Sequence, residues 1–130
     1  MTSRIAAIQM VSTARLEDNL AAAGRLLEQA AEAGAQMALL PEVFAVLEGG
    51  PMAAFGEEQG KGPIQDFLAE TAAALNMLII GGTIPLLSRP DRQPGDPDYL
   101  LDDGRVRPAS LVYAADGSLL ARYDKIHLFD

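Results

Sequence analysis

Apolar residues along this chain alternate between short uninterrupted runs and longer stretches at helical spacing, and that alternation outlines a fold. Residues 5–10, Ile5-Ala6-Ala7-Ile8-Gln9-Met10, read as a short strand of the kind buried on both faces of an α/β sheet. A helix is expected over residues 16–33. Leu20, Ala23, Leu27 and Ala30 recur on one face, Glu17 and Asp18 suit its positive end, and Gly34 offers a stop. No capping box marks where it starts. Residues 37–40, Met-Ala-Leu-Leu, predict a second strand, which Pro41 ends because proline cannot donate to a sheet ladder.

Residues 43–61 read as a long loop with Gly49-Gly50-Pro51, Gly56 and Gly60, enclosing a short helical turn near Met52–Phe55. Pro63 fits the first position of a second helix whose buried stripe is Ile64, Phe67, Leu68, Ala72 and Leu75, with Asn76 beyond its end. A third strand over 77–80 runs into Gly81-Gly82-Thr83. The polar stretch 88–108, broken by Pro90, Pro94, Gly95, Pro97 and Gly104, predicts an exposed excursion. Two β-rich runs, 109–113 and 118–123, flank Asp116-Gly117 and predict a hairpin. The sum is an α/β protein whose early strands are parallel or mixed.

Composition narrows the classes of function. The length of 130 residues fits one domain, and 49% hydrophobic residues can build a core; with 5% aromatics and no Trp, that core falls to Ala, Leu, Ile, Val and Met. A net charge of −8 repels phosphate backbones and anionic membranes, so neither nucleic acid nor membrane is expected as a partner. No apolar run has the length of a signal peptide or a bilayer span, which makes a cytoplasmic location the default expectation. The cysteine count of zero excludes disulfides, thiolate metal sites and a cysteine nucleophile within these residues.

Chemistry-bearing residues collect at strand ends. Glu42 follows the second strand, where α/β sheets commonly place ligands, although a loop-opening surface glutamate has the same local pattern. Gly81-Gly82 could admit a phosphate or simply allow close backbone packing. The second reading is favoured, because the first strand lacks a G-x-G-x-x-G turn and no helix follows Thr83. The last stretch, Arg122-Tyr123-Asp124-Lys125-Ile126-His127-Leu128-Phe129-Asp130, sets charged and imidazole groups among apolar ones. By position alone Lys125 is a solvated charge.

Leu39-Leu40-Pro41-Glu42, Gly81-Gly82-Thr83 and Tyr123-Asp124-Lys125-Ile126-His127-Leu128-Phe129-Asp130, taken together and in this order, resemble the carbon–nitrogen hydrolase (nitrilase) superfamily. The resemblance is closest to its amidase branch of omega-amidases and deaminated glutathione amidases. Ile8-Gln9-Met10, residues 60–67 and Ala109-Ser110-Leu111-Val112-Tyr113 look like that branch too, while Pro108 stands where many relatives carry asparagine.

The resemblance runs along essentially the whole chain and covers the amino-terminal half of the family's domain. It implies an α/β fold forming the amino-terminal part of a four-layer α-β-β-α sandwich, with residues 1–130 as a partial domain. The implied reaction is hydrolysis of a small carboxamide, such as an omega-amide, through a cysteinyl thioester, with no cofactor and a homo-oligomeric parent. Glu42 matches the family's general base and Lys125 its oxyanion-stabilising lysine; the cysteine and a further glutamate would lie beyond Asp130.

These residue types suit the reaction. A carboxylate that accepts a thiol proton raises the reactive thiolate fraction, and an ammonium placed beside the carbonyl oxygen stabilises the charge it gains. His127, the only histidine, is assigned a structural or hydrogen-bonding role, because the family scheme uses glutamate as base. Asp124 and Asp130 read as loop-capping or ion-pairing groups rather than a metal pair, since no ligand cluster supports them.

Without its cysteine the chain alone is expected to be inactive. A reading from another class makes it a non-catalytic binding or regulatory module on the same half-fold. A third, a small nucleotide-binding domain, is opposed by the missing phosphate loop and the acidic charge. Half of a sandwich exposes sheet edges and apolar faces, so the isolated chain is expected to associate or stay partly folded. Dye binding and concentration-dependent sedimentation should report this; a chain that binds no dye and stays monomeric at every concentration would overturn it.

Overall fold

A computed structural model describes residues 2–46, 52–102 and 105–126. Gly49, Gly50, Pro51, Gly104, His127, Leu128, Phe129 and Asp130, all singled out above, lie outside them. The chain alternates strands β1 (Ile5–Ala7), β2 (Met37–Leu39) and β3 (Leu78–Ile80) with helices α1 (Leu16–Glu32) and α2 (Pro63–Leu75). It continues through β4 (Ile84–Leu86), β5 (Arg107–Tyr113) and β6 (Leu119–Asp124), and the predicted helical turn is a short 3-10 helix at Met52–Phe55.

β1, β2 and β3 are parallel neighbours, and β5 joins β3 antiparallel. β3 meets the end of β5 at Tyr113 and Val112, whereas β4 meets its start at Ala109, Pro108 and Arg107. β3 and β4 therefore lie end to end along one edge of β5, separated by Gly81-Gly82-Thr83, and β6 takes the other edge. The described residues thus form a mixed six-stranded sheet.

β4 was not separable in the sequence, because a three-residue run centred on Pro85 argues against a strand. Pairing makes it possible: Pro85 faces Pro108. Their carbonyls turn away from each other, the first accepting from Glu57 N–H at 3.0 Å and the second from Lys125 N–H at 2.9 Å. In a strand the N–H of a residue points the same way as its C=O. Neither missing proline N–H is therefore asked for by the β4–β5 ladder.

Both helices cover one face of the sheet. Ala38, Ile79, Ala109, Leu111 and Tyr113 meet Ala23, Leu27, Ile64, Leu68 and Ala72 in a buried cluster. The opposite face stays open among the described residues, with Ile5 67%, Leu39 44% and Tyr123 60% exposed. This corrects the expectation that the first strand is buried on both faces: its residues alternate exposed, half-buried, exposed. The excursion is also less exposed than expected, because Tyr99 is buried and its carbonyl accepts Arg89 N–H at 2.8 Å; its last residues, Arg107 and Pro108, already belong to β5.

Helix ends follow local chemistry. α1 starts without a side-chain cap and stops before Gly34, which has φ 91°. α2 begins at Pro63 and ends at Asn76 in the left-handed region. Its amino terminus is capped from a distance by buried Glu57, whose carboxylate accepts Ile64 N–H at 2.7 Å and Gln65 N–H at 3.1 Å. Because the Glu57 backbone is bonded to β4, this one residue clips α2 onto the sheet.

Tyr113, buried at the end of β5, has its phenol pushed up to about 12 from 10.0, by burial first and then by the charges of Glu57 and Asp66. Below pH 10 both folded and unfolded chains keep this proton. Above it the unfolded chain ionises first, so stability falls as pH rises from 10.0 to about 12. The loss should reach roughly 2–3 kcal/mol, and Tyr113→Phe should abolish it, as followed by urea unfolding alongside tyrosinate absorbance.

Candidate active site

Glu42 follows β2 in a loop whose main chain is held at nearly every residue. Leu40 N–H donates to the Ile80 carbonyl at 3.0 Å, extending the β2–β3 ladder. Gly82, at φ 59°, packs so tightly against Pro41 that any Cβ would lie 2.0 Å from the Pro41 oxygen. The glycine pair therefore serves close backbone packing. Val43 has φ 54°, a left-handed conformation that a β-branched side chain adopts at a cost of about 1–3 kcal/mol. Its N–H donates to Thr83 Oγ1 at 2.9 Å.

The carbonyls of Phe44 and Ala45 accept from Ser12 Oγ at 2.7 Å and Asn19 Nδ2 at 2.6 Å. Asn19 is buried on α1 and also binds Thr13 through both side-chain atoms. Phe44 is fully buried, its ring 6.4 Å from that of Phe67. Main chain is fixed around Glu42 while its side chain remains 43% exposed.

Lys125 follows β6, the second arm of the hairpin. Its turn is stabilised by Asp116 Oδ1, which accepts Ser118 N–H at 2.9 Å and Ser118 Oγ at 2.6 Å; these bonds hold the Asp116 carboxyl below its usual range. The far end of β6 is clamped by charge. Arg122, with a side chain 6% exposed, donates from Nε and Nη2 to the two oxygens of Asp124 at 2.7 and 3.0 Å. Its remaining reach goes to the Ser88 carbonyl at 2.7 Å and Gln59 Oε1 at 3.0 Å, and Arg107 adds a bond to Asp124 at 3.2 Å. Lys125 N–H then binds the Pro108 carbonyl.

From these two anchored positions the Lys125 ammonium forms an ion pair with Glu42 Oε1, across 83 residues of sequence. Both groups stand at the carboxyl ends of strands that run the same way, β2 and β6. An open recess of about 430 Å³ adjoins Lys125, lined by Val106, Arg107, Pro108, Asp124 and Ile126. The pair supplies a proton acceptor and a fixed positive charge at one place. Among the described residues no cluster of His, Cys, Asp or Glu could hold a metal.

The structure thus brings together the two residues that the motifs singled out, and it places Asp124 in an ion pair as expected. His127 and Asp130 lie outside the described residues. Sequence reasoning did not find Ser12, Asn19, the Thr83 hydroxyl or Arg122 as supports. Asn19 carried a signal: it shares the apolar helix face of Ala23 and Leu27, where a polar side chain needs buried partners.

A comparison with family profiles matches Carbon-nitrogen hydrolase over residues 4–130. The chain belongs to the carbon-nitrogen hydrolase family. Human omega-amidase NIT2 is 34% identical over 131 residues, covering 100% of this chain and 42% of the relative. The chain therefore spans about two fifths of the length of the curated relatives it matches.

Among solved structures, the C. elegans NitFhit protein is 27% identical with a TM-score of 0.70, covering 97% of this chain and 28% of that one. Saccharomyces cerevisiae Nit3, a member of branch 10 of the nitrilase superfamily, is 24% identical with a TM-score of 0.72, covering 92% and 42%; this last is a likeness of fold alone. The sheet and its helices are accordingly part of a nitrilase-type α-β-β-α sandwich.

In this member of the family Asp124→Ala would leave the Arg122 guanidinium buried without its carboxylate. The expected loss is about 3–5 kcal/mol of unfolding free energy, against less than about 0.5 kcal/mol for Tyr123→Ala on the open face. Urea titration in dilute solution compares the two.

Proposed function

We propose that this chain is the glutamate- and lysine-bearing part of a thiol amidase that hydrolyses a small carboxamide, foremost an omega-amide of a dicarboxylic acid, to the carboxylate and ammonia. The observation that carries the reading is the Glu42–Lys125 ion pair, assembled at strand ends from distant parts of the chain. The name of the human relative, an omega-amidase, supports the choice of substrate.

The steps follow from the two charges. Glu42 takes the proton of a cysteine thiol, and the sulfur attacks the amide carbon. The carbonyl oxygen gains a negative charge beside the Lys125 ammonium. Collapse of that intermediate breaks the C–N bond, and the proton held by Glu42 leaves with the nitrogen as ammonia. Glu42 then takes a proton from water, whose oxygen attacks the thioester; the carboxylic acid departs and the thiol is restored. The 130 residues contain no cysteine, so in this reading the nucleophile comes from outside them, and residues 1–130 are a partial domain of a homo-oligomeric, cytoplasmic enzyme.

The same lack of cysteine, with the open sheet face, favours a second reading as a non-catalytic module whose partner covers that face. Ammonia release from omega-amides separates the two. The isolated chain should release none. Combined with a cysteine-bearing remainder of the domain, it should be active, and Lys125→Ala should lower kcat by several hundredfold, the effect of one lost oxyanion donor at about 3–4 kcal/mol. Activity of residues 1–130 alone that survives Glu42→Gln would overturn the assignment, and an inactive assembly would favour the module.

A further inference from the structure

We propose that Thr83, acting with Gly82, is the positioning residue that aims the Glu42 carboxylate at Lys125. The inference rests on the reading of Glu42 as the reacting carboxylate, and it concerns how that group is held. With its side chain 43% exposed, Glu42 is not oriented by tight packing around its own atoms. Its direction comes from the main chain on either side, and residues 82 and 83 hold both sides.

On the amino-terminal side, the Pro41 carbonyl occupies the space that a Cβ at position 82 would need. On the carboxyl-terminal side, Val43 is kept at φ 54° while its N–H donates to Thr83 Oγ1 at 2.9 Å, 40 residues away in sequence. A β-branched residue leaves that conformation unless something holds it. The next residues cannot absorb the change, because the Phe44 and Ala45 carbonyls are tied to Ser12 and Asn19. Relaxation of Val43 to negative φ therefore turns the peptide between Glu42 and Val43 and swings the Glu42 side chain away from the ammonium. The strained residue sits directly beside the group whose direction matters, and the hydroxyl that holds it belongs to the junction of β3 and β4.

The test uses the whole labelled chain, below the concentration at which it associates, and reads the coupling across the hydrogen bond between Lys125 Nζ and the Glu42 carboxylate carbon by NMR. Thr83→Ser, which keeps the acceptor, should retain the coupling. Thr83→Val, similar in shape but without an acceptor, should lose it while the β5 and β6 amide signals keep their positions.

Adding Val43→Gly to Thr83→Val should restore the coupling, since glycine holds positive φ without support. That rescue separates aiming from general damage, including the case where Thr83→Val alone folds poorly. Retention of the coupling in folded Thr83→Val, or no rescue in a folded double variant, would overturn the proposal. The readout needs no turnover, so it can fail while Glu42 proves to be the base, and hold while the amidase assay fails.

Discussion

The constraint on which the site depends is the contact between Gly82 and the carbonyl of Pro41. The Pro41 oxygen stands where a side chain at position 82 would begin. That approach lets the chain leave β3, turn through Gly81-Gly82-Thr83 and resume as β4 on the same edge of β5, against the end of β2. It also brings the Thr83 hydroxyl to Val43. Sheet continuity and the placement of Glu42 are thus set by one steric fact.

The partner charge is set by a different force. Arg122 and Asp124 are nearly enclosed and joined by two hydrogen bonds, with Arg107, Gln59 and the Ser88 carbonyl completing the group. Pairs such as Arg15–Asp18, open to water on both sides, contribute little to stability. The Arg122–Asp124 group differs because removing Asp124 leaves the Arg122 guanidinium away from water without its carboxylate. Apolar burial beneath the helices holds the sheet together, while this polar cluster decides where the residue after β6 begins. Lys125 inherits that position.

The two helices and the open face give the chain an asymmetric character. One face carries a packed core mostly of Ala, Leu, Ile and Met, to which Phe44 and Tyr113 add aromatic side chains that the aromatic-poor composition did not lead one to expect. The other presents Ile5, Leu39 and Tyr123 to solvent, the side on which a nitrilase-type sandwich has its second sheet. The proposed reaction uses the rim of this sheet, where a carboxylate and an ammonium meet without either being deeply buried. Glu42, the more exposed of the two, sits in a segment whose main chain is held on its carboxyl-terminal side.

Much of this was legible in the sequence because it is local. Leu20, Ala23 and Leu27, or Ile64, Leu68 and Ala72, declare helices through the spacing of near neighbours, and Asp116-Gly117 declares a turn through its own backbone preferences. Glu42 and Lys125 were found because short motifs travel with them. Other features are properties of pairs: Pro85 becomes a strand residue only opposite Pro108, and Val43 turns left-handed only against Thr83. Asn19 is satisfied only when Ala45 arrives, and β1 is half-open because both helices chose the other face. Periodicity and turn chemistry act within a few residues, so the sequence alone determined the elements and the candidate charges. Strand register acts across the whole chain, so only the tertiary structure decided that Glu42 and Lys125 meet.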